Sequence, residues 1–448
     1  MKFKIKELDG IYDAFNTYKL FKNMEDSILL DSSKKDENLS KYSFIGINPI
    51  CKFKSHGRLS YIDDILVDSK DPFIVIEELV NKYKIENDSP LPFIGGAIGY
   101  FSYDMGRIIE DLPDNSTEEF KIPDSIFIFY NNIIIFDLES KRTYVTELGI
   151  NKEYSIEKIE RIFKNYKDGD EITFEERNTV FYTNLDKDEY KNRILKIKDY
   201  IRNGDVYIAN LTRKIWCYNN EESFNIYERL RTINKAPFSV FMNFKEFQVI
   251  CSSPERFLSV VDGIVHTRPI KGTRPRGKDL EEDLKNKEAL INSEKDKAEL
   301  LMIVDLERND LSKVCKPSTV KVTELFKIEE YATVFHLVST IYGELNKGVS
   351  SVKCIKECFP GGSITGAPKI RAMEIIEETE ELKRNIYTGA IGYFDIRGNC
   401  DFNIVIRSIV KKGDKAYFGV GGGITWDSNE EDEWAETIDK ANALMRVL

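Results

Sequence analysis

The stretch SSPERFLSVVDGIVHTRPIKGT, residues 252–273, contains two short apolar runs on either side of Asp262-Gly263. Asp-Gly is a favoured pair for a two-residue β-hairpin turn, because both residues tolerate the positive φ angles that such a turn requires. The sequence therefore predicts two antiparallel strands in which Val261 stands opposite Ile264.

The outer ends of this hairpin carry a carboxylate, Glu255, and an amine, Lys271. Strict alternation along paired strands would send the two side chains to opposite faces. However, Pro254 and Pro269 cannot donate to a strand ladder, and Gly272 permits a bulge, so regular pairing is expected to fail where they lie. Two interpretations remain: an ordinary surface salt bridge, or a Glu and a Lys that converge on one pocket.

The apolar pattern on both sides of the hairpin predicts a fold of the α+β class. Up to about residue 150 the pattern is strand-rich, and residues 238–267 predict a meander of four antiparallel strands. A capping box at Asp186 and Glu189, followed by apolar residues at helical spacing, predicts a helix that stops at Gly204. Further helices are predicted over residues 284–311, 368–382 and 430–447.

A charged segment divides the chain into two regions. It ends in KDGDEITFEERN (167–178), which is typical of a solvated connection. We therefore predict an N-terminal region over residues 1–150, a charged connection over 151–185 and a C-terminal domain over 186–448.

The composition excludes two classes of partner. The 448 residues include 65 Lys and Arg against 76 Asp and Glu, a formal net charge of −11, which leaves no basic surface for a nucleic acid. No apolar run approaches the roughly 20 residues of a membrane-spanning helix, and the N-terminus has no apolar segment typical of a signal peptide. We expect a cytoplasmic protein without a membrane partner.

Two acidic pairs have the i, i+3 spacing that places both members on one helix face. They are Asp296 with Glu299 and Glu433 with Glu436, and in each helix the pair adjoins apolar residues. Such pairs commonly just face water. Carboxylates from two helices, completed by water and a ligand oxygen, also suit Mg²⁺.

Glycine-rich segments recur in the sequence. PGGSITGAPK (360–369) has glycines at phosphate-loop spacing, but Ala367 stands where that loop needs lysine. It and GVGGGI (419–424) could bind a carboxylate through backbone N–H groups, or the glycines only permit close packing. GAIGYF occurs at 96–101 and again at 389–394, where close packing of two strands is preferred over a repeated sheet unit.

A series of motifs in fixed order resembles the chorismate-utilising enzymes. They extend over essentially all of residues 186–448, and LLDSS and KYSFIGINP resemble the N-terminal region of the large subunits of anthranilate and aminodeoxychorismate synthases. The C-terminal motifs are SSPERF, RPIKGTRPRG, KDKAELLMIVDLERNDL, FHLVSTIYGEL, FPGGSITGAPKIRAMEII, YTGAIGYFD, NIVIRS, and GGGITWDS followed by ETIDK. The resemblance implies a large, mostly antiparallel two-sheet β-sandwich flanked by helices.

Within this family, PIKGT resembles the aminodeoxychorismate synthases, whereas anthranilate synthases typically carry alanine at the position of Lys271. The resemblance implies that Lys271 attacks C2 of chorismate while the C4 hydroxyl leaves, and that ammonia then enters at C4 and expels the lysine. The product would be 4-amino-4-deoxychorismate, for 4-aminobenzoate and folate synthesis. Glu255 would be the general acid, a role that requires a raised pKa.

The resemblance also implies the remaining site residues. Glu299 and Glu436 would bind Mg²⁺, with Asp296 and Glu433 supporting through water. Tyr387 and Arg407 would bind the enolpyruvyl carboxylate. The groups expected to surround the ring are His336, Ser363, Thr273, Gly421, Gly422 and Gly423.

One departure and two ligands need separate mention. Ile208 stands where the family usually has glutamine or lysine, which argues against an enzyme that adds water. The sequence shows no glutaminase module, so ammonia is expected from a separate glutaminase subunit. The segment around Ser32 resembles the tryptophan-binding segment of anthranilate synthases, which leaves tryptophan a possible ligand.

Two alternatives to the aminodeoxychorismate synthase interpretation stay open. One is an anthranilate synthase large subunit. The other is a non-catalytic paralogue that binds chorismate or tryptophan, against which the retention of Lys271, Glu255 and all four acidic positions argues.

Overall fold

The computed structural model describes residues 3–34, 39, 41–151, 155–167, 169, 179–330 and 334–448. Much of the predicted charged connection over 151–185 lies outside the described residues. Within it the structure describes one short helix and one short strand, both bounded below.

The strands are β1 (Lys4–Leu8), β2 (Ile28–Asp31), β3 (Tyr42–His56), β4 (Leu59–Ile62), β5 (Ile65–Val67), β6 (Gly96–Phe101), β7 (Ser125–Asp137), β8 (Arg142–Glu147), β9 (Tyr182–Thr183), β10 (Ile208–Tyr218), β11 (Phe238–Asn243), β12 (Gln248–Ser253), β13 (Arg256–Val261), β14 (Ile264–Thr267), β15 (Ile270–Pro275), β16 (Lys321–Glu330), β17 (Val334–Glu344), β18 (Gly366–Ala367), β19 (Ala390–Asp395), β20 (Cys400–Ile404), β21 (Ser408–Lys412) and β22 (Lys415–Ile424).

The helices are α1 (Ala14–Tyr18), α2 (Pro72–Lys82), α3 (Gly106–Ile109), α4 (Ile156–Phe163), α5 (Lys187–Arg202), α6 (Ser223–Ile233), α7 (Leu280–Ile291), α8 (Glu294–Val314), α9 (Ser351–Cys358), α10 (Lys369–Glu380) and α11 (Glu430–Val447). Short 3₁₀ turns lie at Tyr103–Met105 and Gly362–Ile364. None of the helices in the described ranges is long and apolar enough to cross a membrane.

The strands form two sheets that share β3 and β7, and their neighbours are antiparallel. The first sheet has the order β1-β8-β7-β3-β2-β11-β12-β21-β22-β10-β9. The second has the order β5-β4-β3-β7-β6-β19-β20-β13-β14-β17-β16, with β15 also paired to β17. This confirms the expected antiparallel two-sheet fold of the α+β class.

Both sheets draw strands from residues 1–150 and from residues 186–448. For example, β2 pairs with β11 in the first sheet, and β6 pairs with β19 in the second. The two regions consequently contribute side chains to the same two hydrophobic clusters. The predicted division at 151–185 stays a prediction about sequence organisation.

The long strands pass from one sheet to the other at a cluster of buried asparagines. Asn48 has a φ of +59°, and the register of β3 against β7 shifts just after it, between Pro49 and Cys51. The Asn48 side chain donates to Asn132 Oδ1 over 3.1 Å, and Asn132 donates to a backbone carbonyl. These amides satisfy backbone and side-chain groups that the broken ladder leaves unpaired.

The two GAIGYF segments pair with each other in β6 and β19, with Gly99 opposite Gly392. A Cβ at Gly99 would lie 2.0 Å from the carbonyl oxygen of Ile126, and one at Gly392 would lie 2.0 Å from that of Asp401. The preferred interpretation, that these glycines permit close packing, is confirmed.

The hairpin of β13 and β14 is confirmed, with Val261 opposite Ile264 and positive φ at Asp262 and Gly263. The predicted four-strand meander over 238–267 is wrong, because β12 and β13 do not pair. They pair instead with β21 and β20. Their backbones diverge at Pro254, which cannot donate to a ladder.

The helix predictions need two corrections. The capping box at Asp186 and the helix over 430–447 are confirmed, and the helix predicted over 368–382 spans Lys369–Glu380. The single helix predicted over 284–311 is two helices, α7 and α8. Ser293 separates them because its side chain caps a new helix by accepting from the backbone N–H of Asp296.

The close contact of β6 with β7 yields a stability prediction. Gly99→Ala is expected to lower the free energy of unfolding by about 3 kcal/mol, because the new methyl group would overlap backbone that cannot move freely. Urea denaturation measures this. Gly57→Ala is the control: nothing lies near its Cβ position, so only its positive φ costs about 1 kcal/mol. Equal losses in the two variants would contradict the packing argument.

Candidate active site

Lys271 reaches the interior from a bulge in β15. The register against β17 shifts between Lys271 and Thr273, and Gly272 has a φ of +75°. A Cβ at Gly272 would lie 2.9 Å from Asp296 Cγ, so glycine is required for this approach to α8 as well as for the turn. The Lys271 ammonium donates to the carbonyl oxygen of Ser363 over 3.1 Å.

Glu255 lies in the gap between β12 and β13 and is buried. Burial raises the pKa of its carboxyl group, although a hydrogen bond with Ser363 and the nearby Lys271 ammonium act against that rise. Ser363 therefore contacts both residues. Its carbonyl oxygen accepts a hydrogen bond from Lys271, and its side chain is hydrogen bonded to Glu255. The structure brings the predicted amine and acid together, as the pocket interpretation requires.

His336 and Thr273 form a pair next to Lys271, across β17 and β15. Thr273 Oγ1 and His336 Nδ1 are hydrogen bonded over 2.9 Å. Burial lowers the pKa of His336 to about 4, and the cationic side chains of Lys34 and Arg407 contribute. The imidazole is consequently neutral at pH 7 and can act as a hydrogen-bonding group without adding charge.

Tyr387 and Arg407, the two residues predicted to bind a carboxylate, lie close enough to act on each other electrostatically. The Tyr387 ring fills the space above Gly419, where a Cβ would lie 2.1 Å from Tyr387 Cδ1. Burial raises the pKa of Tyr387 and lowers that of Arg407. Arg407 has a φ of +54°, and its Nη1 donates to the carbonyl of Lys440 over 2.6 Å.

The three glycines of β22 let other elements approach the site closely. A Cβ at Gly421 would lie 2.1 Å from a carbonyl oxygen of β10. At Gly422 it would lie 3.3 Å from Glu433 Oε2, and at Gly423 it would lie 2.8 Å from Ile208 and 3.7 Å from Lys271 Nζ. The apolar side chain of Ile208 thus lies beside the amine.

The four predicted acidic residues are brought to one end of the site, but not as one tight cluster. Lys295 Nζ lies 3.9 Å from Glu299 Oε1 and 3.6 Å from Glu433 Oε1, so one cation bridges α8 and α11. Glu436 is paired with Lys440 over 2.5 Å. Asp296 is instead paired with Arg274 over 2.8 Å.

These carboxylates differ in electrostatic environment. Burial raises the pKa of Glu299 and of Glu433. Burial acts on Glu436 in the same direction, but the cations of Lys440, Lys271 and Lys295 together outweigh it and lower the pKa of Glu436. In the part of the chain that the structure describes, no three His, Cys, Asp or Glu groups converge at metal-ligand spacing. The oxygen donors and the bridging ammonium of Lys295 nevertheless fit a site for a hard cation such as Mg²⁺.

Three cationic residues of the site were not predicted. Lys295 stands four residues before Glu299 on α8, and Lys440 stands four residues after Glu436 on α11. This i, i+4 spacing is a signal that could have identified both lysines. Arg274 contacts Asp296 only through the bulge after Lys271, so no local spacing indicates that pair.

Ser32 lies apart from this cluster, in the wall of a cavity of about 500 Å³. Its hydroxyl donates to the carbonyl of Tyr42 over 2.8 Å. The wall combines aromatic and charged side chains, among them Tyr42, Phe44, Phe238, Tyr393, Arg256, Arg268 and Asp401. Thr267 and Arg268 also line it, three to four residues before Lys271, so the cavity adjoins the strand that carries the amine.

Comparison with known proteins is consistent with this arrangement. Residues 25–446 match the model of a family described as chorismate binding enzyme. Anthranilate synthase component 1 of Acetivibrio thermocellus is 37% identical, over 96% of this chain and 92% of that protein. Aminodeoxychorismate synthase component 1 of Escherichia coli K12 is 34% identical, over 94% of this chain and 93% of that protein.

A solved structure agrees in fold as well as in sequence. The crystal structure of anthranilate synthase component I from Streptococcus pneumoniae TIGR4 superposes with a TM-score of 0.81 at 31% identity, covering 92% of this chain and 94% of that chain. The family match over most of the length and the relatives above 30% identity lead to one conclusion: this chain belongs to the chorismate-binding enzymes.

Proposed function

We propose that the chain is the large subunit of an aminodeoxychorismate synthase, which converts chorismate and ammonia to 4-amino-4-deoxychorismate. The observation that carries this proposal is the pairing of the half-buried Lys271 with the buried Glu255 through Ser363. An amine nucleophile next to a carboxyl group with a raised pKa is what substitution through a covalent adduct requires.

In the first step the free amine of Lys271 forms a bond to C2 of chorismate. The electrons of the two ring double bonds shift, the C4–O bond breaks, and Glu255 gives its proton to the leaving hydroxyl, which departs as water. Ammonia then attacks C4, the electrons shift back, and the Lys271 amine leaves C2. The proton that the new amine loses returns to Glu255, so both residues are restored.

The surrounding residues orient the substrate. His336 and Ser363 lie on the C4 side of the ring, and Thr273 fixes the neutral His336 by a hydrogen bond. Arg407, next to the Tyr387 ring, binds the enolpyruvyl carboxylate, while the backbone of β22 borders the ring end. When bound, Mg²⁺ would be held by Glu299 and Glu436, with Glu433 and Asp296 nearby, and would supply positive charge to the ring carboxylate.

Ammonia is proposed to come from a separate glutaminase subunit. All seven cysteines of this chain are buried, so none is placed as the accessible thiolate that a glutaminase needs. The relatives named above are likewise designated component 1 of their synthases.

Anthranilate synthase component I is the second candidate. The specific observation in its favour is the 37% identity to the Acetivibrio thermocellus enzyme. This identity is comparable to the 34% identity to the Escherichia coli aminodeoxychorismate synthase component. Lys271 separates the two candidates, because an amine bonded to C2 prevents ammonia from adding there.

We also propose that the cavity at Ser32 binds tryptophan. Its volume of about 500 Å³ accommodates an indole side chain, and its wall offers both aromatic faces and charged groups for the amino acid end.

The product and the role of Lys271 are tested together. The purified chain, supplied with chorismate, Mg²⁺ and an ammonium salt, is expected to form aminodeoxychorismate without pyruvate, as identified by mass spectrometry. Lys271→Ala is expected to abolish this product, and any remaining product should be anthranilate with pyruvate. Glu255→Gln should slow turnover about 100- to 10,000-fold.

Lys278→Ala, at an exposed lysine after the same strand, is the matched control and should leave the rate unchanged. Full amination at C4 by Lys271→Ala would show that the covalent mechanism is wrong. Anthranilate and pyruvate from the unaltered chain would show that the second candidate is the right one.

The metal site is tested by neutralising its carboxylates. Glu299→Gln and Glu436→Gln are each expected to raise the Mg²⁺ concentration for half-maximal activity by at least about tenfold, because each removes one oxygen ligand charge. Glu294→Gln is the control, since that side chain is 90% exposed at the start of the same helix. An unchanged Mg²⁺ requirement in both variants would rule out the assigned ligands.

Tryptophan binding is tested by calorimetry on the unaltered chain and on Ser32→Ala. The variant loses the hydrogen bond that holds the cavity wall to Tyr42, and the expected loss of affinity is about fivefold. Ser140→Ala, in an exposed turn, should bind as the unaltered chain does. Absence of saturable heat with the unaltered chain would contradict the proposal.

A further inference from the structure

Glu307 is a carboxyl group beside the catalytic pair that the proposed mechanism does not use. It stands on α8, eleven residues after Asp296 and eight after Glu299, so all three lie on one helix face. Eight residues of helix advance about 12 Å, which places Glu307 at the opposite end of the site from the carboxylates near Lys295.

The turn that carries Ser363 lies directly over Glu307. A Cβ at Gly362 would lie 3.6 Å from Glu307 Cγ, so the side chain passes beneath this turn. The residue is half-buried overall, and its carboxyl group is enclosed. Glu255, on the other side of Ser363, is close enough to act on it electrostatically.

Hydrogen-bond geometry indicates that Glu307 carries a proton. The buried Thr267 hydroxyl lies 2.7 Å from the carbonyl oxygen of Phe257 and 2.8 Å from Glu307 Oε2. Thr267 has one hydroxyl proton, and a carbonyl can only accept. If that proton goes to Phe257, both bonds are satisfied only when Glu307 donates to Thr267.

The charged groups around Glu307 agree with this. Burial raises its pKa to about 8, and Glu255 and Asp310 add to the rise, whereas the Thr267 bond and Lys369 oppose it. Lys369 is paired with Asp310 and also donates to the carbonyl of Cys358. Among the ion pairs that the described residues form, none includes Glu307.

The hydrogen bond from Thr267 to Phe257 joins β14 to β13, the two strands next to Lys271 and Glu255 in the sequence. Phe257 lies in β13, two residues after Glu255, and Thr267 lies in β14, four residues before Lys271. The Thr267 hydroxyl bridges these strands beyond their last ladder pair, Ser259 with His266. Glu307 thus supports the hairpin at the end where its regular pairing has stopped.

We propose that Glu307 is a positioning residue that acts in its protonated form, holding Thr267 and thereby the spacing of Glu255 and Lys271. Ionisation of Glu307 releases Thr267 and places a negative charge beside Glu255, which then gives up its proton less readily. This inference rests on the proposed function only in taking Glu255 as the general acid.

The test compares pH profiles of kcat/KM for chorismate at constant free ammonia and saturating Mg²⁺. The unaltered chain is expected to lose activity above about pH 8, with a drop of about tenfold one pH unit higher. Glu307→Gln, whose amide still donates to Thr267 but does not titrate, should lose the part of this drop that Glu307 causes and keep only the decline that ionisation of Glu255 produces. Glu307→Leu, which has no donor, should be slower at every pH.

Asp305→Asn, on the exposed side of the same helix, is the control and should keep the profile of the unaltered chain. Difference infrared spectroscopy at neutral pH provides a readout that needs no turnover: a protonated carboxyl band should disappear in Glu307→Gln. An alkaline profile in Glu307→Gln that is the same as that of the unaltered chain, or the absence of that band, overturns the inference. A chain that turns over no chorismate would refute the proposed function, while the infrared band still decides the protonation of Glu307.

Discussion

The site depends on the point at which the β13–β14 ladder stops. Pro254 and Pro269 cannot donate ladder hydrogen bonds, so β13 and β14 are no longer paired with each other where the chain reaches Glu255 and Lys271, and Lys271 lies in β15, which pairs with β17. Their side chains then turn inward and need other partners. Ser363 supplies one to each, and the 3₁₀ turn that carries it is held against α8. An enclosed acid and amine are therefore a consequence of an interrupted sheet.

Local patterns in the sequence identified the elements whose causes are local. The Asp262-Gly263 turn and the Asp186 capping box were predicted because neighbouring residues alone determine them. The meander failed because β12 pairs with β21, about 160 residues further along the chain, and no local pattern indicates such a partner. The break at Ser293 was missed although its signal is local, since residues 292–297 are all polar and serine is a preferred N-cap residue.

The site itself could be only partly predicted from residue chemistry. Of the i, i+3 pairs, Asp296, Glu299 and Glu433 are largely buried, whereas the Glu436 side chain is 51% exposed. Spacing alone left these pairs indistinguishable from solvated pairs, and their assignment to a site came from the resemblance. Contacts such as Arg274 with Asp296, or Thr267 with Glu307, join different elements. They depend on how a bulge and a hairpin end are placed in space, which sequence spacing does not encode.

Overall similarity does not distinguish the two candidate products, since the identities of 34% to the aminodeoxychorismate synthase component and 37% to the anthranilate synthase component differ little. In the proposed mechanism, product choice depends on whether an amine occupies C2. That choice would fall to Lys271, which lies near Ile208 and Gly423, so the proposed reaction is argued from the local geometry.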